Sequence, residues 1–173
     1  MHNFATWLYA TAPSVFLRSQ EAWIIPTIQS VHIVGIATAL GSAFMIVMRV
    51  TGWLGSDQTL LQTQQRYGPW LTGALWVLLA TGSLLVLAEP PREFDAISFW
   101  LKMALVALMA VIAFAFGRSV RRHDDQWETA VIRQAGVKWA ALATFLVWIA
   151  IIFLGRFIAY DTVWSRVFPG IKG

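Results

Sequence analysis

The sequence holds three histidines and no cysteine, so any metal or proton chemistry has to run on imidazole, carboxylate, amine or thioether groups. His32 stands apart from the other two histidines. It lies inside a long apolar run from Trp23 to Trp53, WIIPTIQSVHIVGIATALGSAFMIVMRVTGW. An ionisable side chain at lipid depth is expensive and marks a candidate functional group. If a helix starts at Ile24, His32 sits roughly 12 Å along it. On the same helical face, Gly35, Ala39 and Ser42 follow at i+3, i+7 and i+10. Small residues let membrane helices approach closely. The same stripe would also leave a slot for a flat macrocycle beside a ligating histidine, with His32 as the metal ligand. Gly82, with Thr81 beside it, falls at a similar depth in a second apolar run. Lys102 and Arg156 fall in the same outer half of the bilayer. Two cations there would suit the propionates of a haem, and they equally suit side chains snorkelling to the headgroups.

The remaining candidates carry less. His2 is in the N-terminal segment and His123 is in a charged link, neither at the depth of His32. Met103 is the nearest thioether that could ligate haem iron. His123, Asp124, Asp125 and Glu128 are metal-capable, but among so many arginines they read as a salt-bridged, solvated face. The methionines are scattered and read as packing. There is no GxSxG, Walker loop, HExxH or pair of carboxylates inside an apolar run. Hydrolase and nucleotide chemistry therefore have no residues to run on, and no catalytic residue is expected.

The elements that must position these groups follow from composition. Of the 173 residues, 58% are hydrophobic and 13% are charged, whereas soluble domains carry roughly a quarter charged residues. Mean hydropathy is +0.62, and ten tryptophans favour a membrane–water interface. The fold expected is all-α, an integral-membrane four-helix bundle forming a single domain over residues 1–173. The spans fall at about 24–48, 70–88, 97–116 and 139–158, each near the ~20 residues that cross a bilayer. Residues 1–20 are amphipathic and interrupted by Pro13, so they should lie in the interface or fold back onto the helices. No basic, cleavable signal peptide is expected. The polar link after span one suggests a short surface helix capped by Ser56, and Arg49 should snorkel. The charged segment GRSVRRHDDQWETAVIRQAGVK should continue spans three and four beyond the bilayer. Trp164 and Phe168 in the tail would rest at the interface.

Arg118, Arg121 and Arg122 cluster at one helix end. The positive-inside rule then places both termini on the periplasmic side of a bacterial inner membrane. The net charge of +4 speaks to topology here, and no nucleic-acid partner is expected.

The pattern from Glu21 to Gly35, E-x-W-I-I-P-x-I-x-x-x-H-I-V-G, followed by Arg49-Val50-Thr51-Gly52, resembles a group of small bacterial four-span proteins of unknown function. Further matches are Gly68-Pro69-Trp70, Thr81-Gly82-Ser83-Leu84-Leu85, Phe99-Trp100-Leu101-Lys102 and Gly155-Arg156-Phe157-Ile158-Ala159-Tyr160. More distantly, the chain is similar to CopD-like and cytochrome b561-like membrane proteins. That similarity implies haem b or quinone-linked electron transfer. Two features of that pattern differ here: Ala113-Phe114-Ala115-Phe116-Gly117 stands where a second histidine is often found, and Val47 or Met48 where an acidic residue often precedes the arginine ending span one.

The expectation is a redox subunit holding haem b through His32, Gly35, Gly82, Lys102 and Arg156, with quinone as partner. The alternatives are a non-redox anchor or accessory subunit docking to a protein partner or to its own copies, and an oligomeric transporter lined by His32, Lys102 and Arg156.

Overall fold

The computed structural model describes residues 2–20, 22–54, 57–94 and 96–157. Ser56, the tail with Trp164 and Phe168, and the side chain of His2 lie outside the described residues. Among those described there are eight helices and no strand: α1 (His2–Tyr9), α2 (Ala12–Ser19), α3 (Ile24–Thr51), α4 (Leu60–Ala88), α5 (Pro90–Phe94), α6 (Ile97–Arg122), α7 (Asp124–Arg133) and α8 (Ala135–Phe157). Four of them, α3, α4, α6 and α8, are long and apolar enough to cross a membrane. The chain is an all-α, multi-pass membrane protein.

The helices outrun the expected spans in instructive ways. α4 starts at Leu60 rather than near Trp70, because Thr59 and Gln62 form a capping box. The Thr59 Oγ1 accepts from the Gln62 backbone N–H at 3.2 Å, and the Thr59 N–H donates to Gln62 Oε1 at 2.9 Å. The surface helix and span two are thus one helix, and it runs through Pro69. α3 continues to Thr51, where Gly52 at φ 79° turns the chain. α6 continues to Arg122 and α8 begins at Ala135, as the charged segment suggested, with α7 as a separate helix between them.

The chain divides into two compact units, the first formed by Met1–Val34, Val77–Val106 and Ile151–Gly173, the second by Gly35–Trp76 and Ala107–Ala150. In the first unit the N-terminal segment breaks into two short helices at Ala10–Thr11, and Pro13 sits in the first turn of α2, where its missing N–H costs little. Arg18 fastens that corner. Its guanidinium donates to Ser14 Oγ and to the Tyr9 carbonyl, both at 2.9 Å, and lies 3.5 Å from the Tyr9 ring centroid. α1 packs against α5, with Phe4 edge-on to Phe94 and Phe94 against Phe99 and Trp100. The N-terminal segment therefore folds back onto the helices.

The second unit is centred on Val50, Leu60, Val120 and Val131. Beside that core, Arg49 is buried rather than snorkelling, at 6% exposure. It pairs with Glu128 of α7 and donates through Nε to the Gln58 carbonyl. The other Glu128 oxygen accepts the Leu60 N–H, the first of α4, at 3.0 Å. One carboxylate thus neutralises a buried cation and caps a helix N-terminus. Breaking a buried pair from one side costs about 3–5 kcal/mol. Glu128→Ala should therefore lower the thermal midpoint in detergent sharply, and the paired replacement Arg49→Met with Glu128→Leu should lose much less. Equal losses in the two proteins would show that the pair is not the tie between α3, α4 and α7.

Candidate functional site

The first unit gathers four of the five expected cofactor-binding residues: His32 on α3, Gly82 on α4, Lys102 on α6 and Arg156 on α8. Gly35, the fifth, belongs to the second unit. It is buried with Ala39 and Ser42, so the small-residue stripe is used in packing.

His32 is half-buried, flanked by the exposed apolar side chains of Val31, Ile33 and Val34. Its Nδ1 lies 2.7 Å from Thr81 Oγ1 on α4. The direction of that bond follows from the threonine. The Thr81 hydroxyl sits 2.7 Å from the Val77 carbonyl, one turn back on its own helix, and it has a single proton to give. With that proton on the carbonyl, the oxygen faces His32 as an acceptor. Nδ1 must then carry the imidazole proton, which leaves the Nε2 lone pair of the neutral ring free. A histidine held through one nitrogen and open at the other is the arrangement of a metal ligand with its supporting hydrogen bond.

Gly82 follows Thr81 and faces the ring at Cε1, the carbon next to Nδ1. A Cβ there would meet His32 Cε1 at 3.5 Å, ordinary contact distance, so the glycine permits close approach without being sterically required. Lys102 is half-buried. Its ammonium lies 3.3 Å from where a Cβ on Gly155 would stand, so α8 makes room for it at that glycine. Lys102 acts electrostatically on His32, and Glu93 of α5 acts on Lys102. Arg156 follows Gly155 in the last turn of α8 and is exposed.

The other candidates fall elsewhere. Met103 is 40% exposed. His123 is the exposed residue preceding α7, and Glu128, its neighbour in the sequence cluster, is committed to Arg49. Among the described residues no group of three or more histidine, cysteine or acidic side chains could hold a metal ion.

The profile of a family of unknown function, DUF6644, matches residues 20–161. The chain belongs to that family. The matched stretch carries His32, Thr81, Gly82, Lys102 and Arg156 and leaves out α1 and α2. No curated protein and no solved structure matches the chain.

Sequence reasoning placed Thr81 beside Gly82 at the depth of His32 but did not pair the two side chains. The depth match and the hydroxyl were the available signals, because an imidazole in lipid needs a partner.

Proposed function

We propose that this family member is a small electron-transfer subunit of a bacterial inner membrane that binds haem b through His32 and exchanges electrons with quinone. The observation that carries the reading is the 2.7 Å hydrogen bond between His32 Nδ1 and Thr81 Oγ1 inside a membrane span; with the threonine proton given to Val77, Nε2 is the nitrogen left for a ligand. His32 would supply one imidazole nitrogen to a haem, and the cations Lys102 and Arg156 would suit its propionate carboxylates. When bound, the haem would supply a one-electron iron couple. The chain's own residues do the rest. Thr81 fixes the ring plane and keeps the proton on Nδ1. Gly82 lies beside the ring edge at Cε1. Lys102, whose ammonium lies against Gly155, would offer its charge to a propionate. By the positive-inside rule, the arginines at the end of α6 face the cytoplasm and both termini face the periplasm. A reporter active only in the periplasm, fused at the C-terminus, should then be active; an inactive fusion reverses the orientation.

The non-redox accessory reading keeps one observation of its own, the buried stripe Gly35, Ala39 and Ser42, which serves packing with no ligand. Docking to a partner would then use a different face.

The absorption spectrum of the purified protein separates these readings. A Soret band that sharpens on reduction is expected, lost in His32→Ala. Thr81→Val should bind haem some 10–100-fold more weakly, the usual cost of removing the group that orients a ligand. A protein from haem-sufficient cells with no Soret band, or a band unchanged in His32→Ala, contradicts the assignment.

A further inference from the structure

After Lys102, α6 runs without a charged residue from Met103 to Gly117 and then meets Arg118, Arg121 and Arg122. These three arginines and Phe114 line an open groove of about 460 Å³ on the second unit. All three arginines are exposed, and among the described residues none of their guanidiniums is paired with a carboxylate. Arg121 Nη2 lies 3.5 Å from where a Cβ on Gly117 would stand. That side chain therefore reaches back along α6 toward the apolar run instead of out into water.

The spacing puts these groups on one face of the helix. Phe114 precedes Arg118 by four residues, and Arg121 and Arg122 follow it by three and four. Ala107, Val111 and Phe114 carry the same face down into the span, and all three are exposed. Phe114 lies roughly 6 Å deeper along the helix than Arg118. The arginines thus stand where the apolar run ends, at the level of the headgroups, above an open apolar track. Charges that only set topology or complement the helix dipole need no common groove and no track leading from it.

The occupant has to answer both parts of this surface. Guanidinium forks match the oxygens of a phosphate. Three cations without a carboxylate partner favour a group of net negative charge over a zwitterionic headgroup, which brings its own cation. A free phosphate would satisfy the arginines and leave the apolar track unused. We infer that the groove holds the phosphate headgroup of an anionic phospholipid, with an acyl chain lying along Val111 and Phe114. Each basic residue near such a lipid adds about fivefold in affinity. The binding uses none of the residues proposed for haem and is the same whichever leaflet this end of α6 meets.

Photolabelling of the full chain in phosphatidylcholine bilayers locates such a lipid. Phosphatidylglycerol and phosphatidylcholine, each carrying a diazirine near the glycerol end of one acyl chain, would be compared, and the crosslinks mapped by mass spectrometry of the α6 peptide. Phosphatidylglycerol should label Val111 and Phe114 at least about fivefold more than phosphatidylcholine does, the effect of one arginine. Arg118→Gln with Arg121→Gln should bring that ratio close to unity. Because both lipids are read on the same protein, a general loss of labelling does not enter the ratio. Arg118→Gln alone should lower it severalfold and carries the test if the double variant does not fold. Arg66→Gln with Arg133→Gln, which removes the same charge from two other exposed positions of the second unit, should leave the ratio unchanged. Inorganic phosphate at matched ionic strength should not displace the label. Equal labelling by the two lipids, or an equal fall in the Arg66 and Arg133 control, overturns the inference. Displacement by inorganic phosphate assigns the groove to a free phosphate and overturns the lipid.

Discussion

A polar group inside hydrocarbon must find its partner within the protein, because lipid offers none. The hydroxyls along the spans meet this demand locally. Thr27, Ser30, Ser83 and Thr144 each donate to the carbonyl four residues back, at 2.7 or 2.8 Å. An imidazole is poorly shaped for that solution, and His32 instead reaches across to Thr81. Thr81 obeys the local rule as well, donating to Val77, and so has only a lone pair left for His32. The same constraint that silences the other polar groups thus gives the histidine a defined tautomer and one unspent nitrogen.

Charge is handled by the same logic in the second unit. Arg49 is buried at the end of α3 and α4 begins with unpaired N–H groups, two demands of opposite sign. Glu128 meets both with its two oxygens. Among the described residues two buried side-chain oxygens, Gln64 Oε1 and Asp124 Oδ1, have no hydrogen-bond partner.

Much of the fold was legible because bilayer physics writes itself into composition. Four apolar runs of the right length, bounded by tryptophans, could only be helices. The spacing of Gly35, Ala39 and Ser42 marked a close-packed face, and those residues are buried. The start of α4 was misread because Gly68-Pro69 looks like a helix boundary, whereas the Thr59-x-x-Gln62 box starts the helix earlier and the proline is carried inside it. Arg49 at the end of an apolar run reads as snorkelling until its partner is known, and Glu128 lies 79 residues away in a segment that looked wholly solvated. The site was half legible. Counting along the spans set His32, Thr81 and Gly82 at one depth, but which atom donates depends on helix rotation, which sequence does not carry.

The state of one imidazole bears most directly on all of this. Nitrogen-15 spectra of histidine-labelled, haem-free protein in lipid bilayers, with His32 assigned by its loss in His32→Ala, read the proton positions of the ring. The result expected is a neutral imidazole protonated at Nδ1 and bare at Nε2, with that preference lost in Thr81→Val. A ring protonated at Nε2 would mean that the nitrogen proposed for the cofactor is already occupied, and would contradict the role assigned to His32.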